Sequence, residues 1–157
     1  MIERVFLLID GSNFFHRLRE LGMMNLLTFD YRSFAKFLIG NKRTVASQAY
    51  YIAPVREEAG NSKSRMLMRD QRIFMNNLQK HGWTIQFGHM LKTDRYHEKG
   101  VDVLMATDLL CGAYEDLYDT AILVSSDTDL IPAIQKVRSK GKKVEKEDLA
   151  QFLPSVS

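Results

Sequence analysis

Short apolar runs with strand character alternate along the chain with stretches of helical period, and this alternation constrains the fold more than any other feature. Val5-Phe6-Leu7-Leu8-Ile9 is a β-branched and aromatic run that ends at Asp10-Gly11, which predicts a buried strand. Ser12 or Asn13 is placed to cap a short helix beginning at Phe14, and Asp30 to cap a helix over Tyr31–Ile39. Ser47–Ala53 is strand-like, and Pro54 bars its continuation. Lys63–His81 is the longest helical stretch: Leu67, Phe74 and Leu78 share a stripe with Ile73 beside it, and Gly82 stands where a C-terminal glycine belongs. Trp83–Phe87 predicts a strand, the polar His89–Gly100 a loop or hairpin, Val101–Tyr114 a helix and Thr120–Ser125 a strand. Leu130–Ser139 predicts a helix closed by Gly141, and Lys142–Glu145 a weak fifth strand.

Strands alternating with helices imply right-handed crossovers and a largely parallel sheet covered on both faces, an α/β fold. The 157 residues suit one domain with one core, and no internal repeat or Pro/Gly-rich linker divides them. With 45% hydrophobic and 26% charged residues the chain has the profile of a soluble globule rather than a disordered segment. The longest apolar run near the start is far too short to span a bilayer or form a signal-peptide core, so no membrane partner is expected. Cys111 is the sole cysteine, which excludes an internal disulfide and a Cys-rich zinc site and favours a reducing compartment, the cytoplasm.

In open parallel sheets ligands collect beyond the carboxyl ends of the strands, where strand order reverses. That rule selects Asp10-Gly11-Ser12-Asn13 after the first strand and Ser125-Ser126-Asp127-Thr128-Asp129 after the fourth. Asp102 opens the helix after Lys99-Gly100-Val101 and can join them from the flank. Carboxylates that close repel one another and call for a hard cation, and an all-oxygen set suits Mg²⁺ or Mn²⁺ rather than zinc. Each aspartate also has a purely structural use: Asp10 as a turn residue, Asp102 as a first-turn helix charge, Asp127 or Asp129 as an N-cap. Setting Asp10, Asp102, Asp127 and Asp129 aside leaves 22 basic against 15 acidic groups. An acidic pocket on a basic body suits a polyanion that must meet a metal.

Leu8-Ile9-Asp10-Gly11-Ser12-Asn13, Lys99-Gly100-Val101-Asp102 with Asp108, and Ser125-Ser126-Asp127-Thr128-Asp129 resemble the three signature blocks of the NYN domains, in order. NYN domains belong to the PIN-like nuclease superfamily, and the chain most resembles their LabA-like branch, from about Val5 to Gly141. The resemblance implies a three-layer α/β/α sandwich with a five-stranded parallel sheet ordered 3-2-1-4-5. It also implies metal-dependent RNA cleavage by Asp10, Asp102, Asp127 and Asp129, with Asn13 beside them. Asp108 matches a recurrent family position; six residues past Asp102, about 240° around the helix, it is expected to play a supporting role. The match departs after about residue 145, where Val144-Glu145-Lys146-Glu147-Asp148 turns charged and leaves the last strand stunted.

The expected chemistry is hydrolysis of a phosphodiester by water activated at a divalent metal. Asp127 and Asp10 are the expected direct ligands; Asp102 and Asp129 would bind directly, bind through water, or orient the nucleophile. Asn13, Ser12, Ser125 and Ser126 are candidates to hydrogen-bond phosphate or the ligands. Lys92, Arg95, Tyr96 and Lys99, with His97, mix cations and aromatic character as single-strand binding surfaces do, so the expected partner is single-stranded RNA, bound by a monomer or homodimer. Arg65, Arg69 and Arg72 form a second basic face, which an ordinary solvated helix explains slightly better than substrate contact.

Other enzyme classes fall away on particular residues. A haloacid-dehalogenase-like nucleophile would occupy the position of Leu8, and an integrin-like metal motif would need serine where Phe14 stands. Neither a phosphate-binding Gly-Lys-Ser/Thr loop nor a dinucleotide fingerprint is present. The serious rival is a non-catalytic RNA-binding or protein-scaffolding domain that retains the acidic site.

Overall fold

The computed structural model describes the backbone of residues 1–11, 29–52, 62–92 and 96–148, and the side chains of residues 1–11, 29–52, 69–88 and 100–148. Strand β1 (Glu3–Asp10) lies mid-sheet because it is apolar on both faces. Val5, Leu7 and Ile9 enter one core, while Phe6 and Leu8 enter the other. Successive side chains of a strand point to opposite faces, so a central strand reads as an unbroken hydrophobic run.

The other strands of the main sheet are β2 (Arg43–Ile52), β3 (Thr84–Phe87), β6 (Thr120–Val124) and β7 (Lys143–Glu147), and the spatial order is β3-β2-β1-β6-β7 with every pair parallel. Leaving out the separate antiparallel hairpin of β4 (His89–Lys92) and β5 (Tyr96–Lys99), this is the expected 3-2-1-4-5 order. Helices α1 (Tyr31–Ile39) and α2 (Ser62–Lys80) cover one face; α3 (Val101–Tyr114) and α4 (Ile131–Ser139) cover the other. Strand order therefore reverses between β1 and β6, and the crevice beyond their carboxyl ends is the place to look for a site.

Local sequence explains the helix ends. The Asp30 carboxylate accepts from the Ser33 amide at 3.0 Å and the Ser33 hydroxyl at 2.7 Å, capping α1. These bonds also hold its carboxyl below the usual range, the backbone bond contributing most. Gly82, with φ of +86°, turns the chain out of α2, and the Trp83 amide then bonds back to the Leu78 carbonyl at 3.1 Å.

Two strands differ from expectation. β2 begins at Arg43 rather than Ser47, and its first half is largely exposed, with Val45 and Ala46 flanked by polar residues, so no sustained apolar run announces it. Pairing with β1 from Glu3 onward supplies its order, with an irregularity between Val5 and Phe6 that skips Ala46. β7 is not stunted: Lys143–Glu147 pairs with β6 along all of Thr120–Val124. Its charges suit an edge strand, where one side faces water and charge discourages pairing with other chains. Val144 alone in it is buried. The expected helix from Phe14 lies outside the described residues.

Candidate metal and nucleic-acid site

Ile9 of β1 pairs with Val124 of β6, so the next residues, Asp10 and Ser125, stand side by side at the carboxyl edge. Both are buried. The Ser125 hydroxyl donates to Asp10 Oδ2 at 3.2 Å and accepts from the Asp127 amide at 3.0 Å. Asp127 is extended and caps the single 3-10 turn Thr128–Leu130, its Oδ1 accepting from the Asp129 amide at 2.9 Å. The turn leads directly into α4, where Pro132 occupies the first turn, a position that needs no amide donor.

Asp102 comes from the other side. Gly100 takes a left-handed conformation with φ of +85° between β5 and α3, placing Asp102 in the first turn of α3. A carboxylate there is favoured by the helix dipole, and its Oδ1 accepts from the Val103 amide at 3.0 Å. One carboxylate oxygen from each of Asp102, Asp127 and Asp129 lies within 4.8 Å of the others, the first two half-buried and the third exposed. Asp10 stands outside this group and reaches it through Ser125. The group of three offers hard oxygen donors, no sulfur or imidazole and one open side, which fits Mg²⁺ or Mn²⁺.

A cation that sequence reading passed over completes the neighbourhood. Val144 of β7 enters the core beneath α3 and α4, so Lys146, two residues on, shares that face. Its ammonium donates to the Asp127 carbonyl at 3.3 Å. The signal was the two-residue spacing from an apolar residue, hidden inside a charged segment.

Gly11 is the second residue that only the structure explains. A β-carbon there would stand 2.6 Å from the Tyr50 ring and closer still to the Ile52 side chain and the Tyr51 carbonyl. Asp108 is turned away from the three grouped carboxylates. It accepts from the Tyr51 hydroxyl at 2.7 Å, tying α3 to β2, and burial followed by this bond pushes the Tyr51 phenol far up.

Of the expected substrate contacts, Ser126 is half-buried beside Asp127. Ser12, Asn13 and Arg95 lie outside the described residues. Lys92 and Tyr96 face each other across the β4–β5 hairpin, and Lys99 ends β5 immediately before Gly100. Their side chains lie outside the described set.

The sequence profile of the NYN domain matches residues 4–146. The chain belongs to the NYN domain family. NYN domains have a PIN-like nuclease fold, act on nucleic acids, are generally nucleases and usually use divalent metal ions. Among solved structures, this NYN chain is similar to a protein of unknown function from Vibrio parahaemolyticus, with 22% identity and a TM-score of 0.71. That likeness covers 98% of this chain and 85% of the other, and shows the shared fold. No curated protein matches the chain. No helix among the described residues is long and apolar enough to cross a membrane.

Proposed function

We propose that this NYN domain is a metal-dependent ribonuclease of the LabA-like branch, cleaving single-stranded RNA in the cytoplasm, as a monomer or homodimer. The observation that carries the reading is the convergence of Asp102, Asp127 and Asp129 within 4.8 Å of one another, from two separate parts of the chain. Those residues would hold Mg²⁺ or Mn²⁺, which when bound lowers the pKa of water and neutralises charge on the phosphate. The protein's own contribution is placement. Ser125 locks the Asp127 turn to Asp10, so the carboxylates are held before any ion arrives and little ordering is needed on binding. Water adds to phosphorus, the phosphorus–oxygen bond to the departing nucleotide breaks, and the proton of the water ends on that oxygen. Asp129, the most exposed of the three, is placed to orient the water or accept its proton. Lys146 is placed at the rim to meet a phosphate oxygen. Ser12, Asn13 and Ser126, with Lys92, Arg95, Tyr96 and Lys99 of the hairpin segment, are the proposed substrate contacts.

The test is cleavage of an unstructured oligoribonucleotide by purified protein with Mg²⁺, Mn²⁺ or chelator, beside an Asp127→Asn variant. Metal-dependent cleavage lost in the variant supports the reading. RNA binding that survives in both proteins without cleavage by either assigns the site to a non-catalytic binding domain.

A further inference from the structure

The face of the sheet opposite α3 and α4 carries a polar groove that the acidic site does not use. It lies between α1 and the end of α2, has a volume of about 730 Å³, and is lined by Arg32, Lys36, Asn76, Lys80 and His81, among others. Its one carboxylate, Asp30, is engaged in capping α1 through Ser33. Arg32 bridges the two helices by donating to the Lys80 carbonyl at 2.9 Å, which fixes the groove's width. The ammonium groups of Lys36 and Lys80 form no ion pair among the described residues, and His81 Nδ1 is buried there with no hydrogen-bond partner. Cations and amide side chains on an open surface describe a site for an anion with several oxygens.

The lining continues toward the carboxyl edge. Arg69, Ile73, Asn76 and Lys80 follow one another at helical spacing on α2, with Arg65 one turn before Arg69 and Arg72 alongside. The Phe74 ring packs on Tyr50 with centroids 5.3 Å apart, which sets the height of α2 against β2. From Phe74 back to Arg69 α2 rises about 7.5 Å, close to the rise from Tyr50 to the end of β2 at Ile52, about 7 Å. Arg69 is therefore level with the carboxyl ends of the strands, and the stripe below it passes through Ile73 and Asn76 to Lys80 in the groove. Among the described residues Arg69 makes one ion pair, a 3.9 Å contact with its neighbour Asp70.

We infer that the α1–α2 groove, with Arg69 above it, binds the phosphate backbone of the RNA strand flanking the cleavage point. The inference rests on the nuclease reading for the identity of the strand, while the groove itself is independent of the acidic residues. A strand long enough to leave the carboxyl edge would meet Arg69 with one phosphate and Lys80 and Lys36 with phosphates further along, whereas a short strand would stop at the acidic site.

The experiment uses the whole chain and a Lys36→Gln/Lys80→Gln double variant; both side chains are on exposed residues, and an unchanged thermal midpoint checks the fold. Binding of labelled oligouridylates of roughly four and roughly sixteen nucleotides is measured by anisotropy in chelator across a salt series. For the long strand the double variant should bind about tenfold more weakly, with a log–log salt slope flatter by about 1.4, two contacts at about 0.7 each. Binding of the short strand, and its metal-dependent cleavage, should be unchanged. Equal long-strand slopes for both proteins overturn the inference. So does loss of inorganic phosphate binding in the variant with the long-strand slope intact, which would make the groove a free-phosphate site. Failure of the nuclease reading shows separately, as no metal-dependent cleavage by the parent protein, and the slope comparison still decides the groove.

Discussion

The Ser125 hydroxyl and the Asp10 carboxylate, 3.2 Å apart and both buried, join the two central strands at the carboxyl edge. Because the same hydroxyl accepts from the Asp127 amide, it relays the position of β1 to the turn that carries two of the grouped carboxylates. Ser125→Ala should therefore loosen the site without removing any carboxylate. Losing a buried hydrogen-bonded hydroxyl costs about 1–3 kcal/mol, measurable by denaturant unfolding. Mn²⁺ affinity by calorimetry should fall with it. Unchanged metal affinity in a destabilised variant would show that Ser125 serves only the fold.

Asp127 has two separable duties, capping and charge. Asn caps about as well as Asp, so Asp127→Asn should retain the bond to the Asp129 amide and unfold at nearly the parent temperature, while abolishing metal-dependent cleavage. Relief of carboxylate repulsion offsets any small loss. Asp127→Ala loses the cap as well and should cost about 0.5–2 kcal/mol in thermal denaturation. Equal stability losses in the two variants would mean that the charge, not the cap, holds the turn.

The parts of this fold legible in the sequence are those whose signal is local. β1 announces itself by an apolar run, α3 by its boundaries, and the end of α2 by Gly82. The acidic residues are legible for the same reason, since each directly follows or opens an element. What escaped depends on register between distant segments. The early half of β2 is largely exposed and β7 buries only Val144, so both are ordered mainly by pairing, and the first is not legible as a strand while the second reads only as a weak one. The Asp10–Ser125–Asp127 chain needs Ile9 beside Val124, and the Tyr51–Asp108 bond needs α3 laid over β2. Neither follows from composition or spacing.

Gly11 tests how tightly the site is packed from beneath. Its hypothetical β-carbon conflicts with the Tyr51 carbonyl, a backbone atom that cannot move aside alone, as well as with Ile52 and Tyr50. Gly11→Ala should destabilise by about 1–3 kcal/mol through overpacking. Gly40→Ala provides the comparison: there φ is +80° with ψ of −179°, a region essentially reserved for glycine, and nothing stands within 4 Å, so only backbone strain, about 1–3 kcal/mol, applies. The two can be told apart in the metal-bound state, because only Gly11→Ala should also weaken Mn²⁺ binding through displacement of β1's end.

At acid pH the end of the sheet away from the site should fail through Asp119. Its carboxylate accepts from the Arg4 side chain and amide and is lowered to about 2, the side-chain bond being the largest cause. Asp116 is lowered too, by Lys142 first and then Arg4. A depressed folded-state pKa contributes stability that is fully present above the unfolded value, near 4, and is lost as pH falls through about 2. Denaturant unfolding of the parent should therefore weaken between about pH 4 and pH 2, and Asp119→Asn should flatten that limb. Solvent exposure and salt make the effect modest. An Asp119→Asn variant with the parent's full acid slope would assign the loss to other carboxylates.

Lys146 should affect metal and RNA in opposite directions. Its ammonium lies on the Asp127 carbonyl, next to a cluster meant for a divalent cation, so like charge repels the ion while opposite charge attracts a phosphate. Lys146→Gln keeps a donor for the carbonyl but removes the charge. Mn²⁺ should then bind about two- to fivefold more tightly, the scale of an exposed charge interaction, while KM for a short oligoribonucleotide rises by a similar factor. Both changes should shrink as salt is raised, because screening acts on each. Lys146→Arg keeps the charge and should restore parental behaviour in both measurements. If Lys146→Gln instead weakens Mn²⁺ and RNA together, and Lys146→Arg does not rescue either, the lysine acts only by holding the Asp127 turn in place.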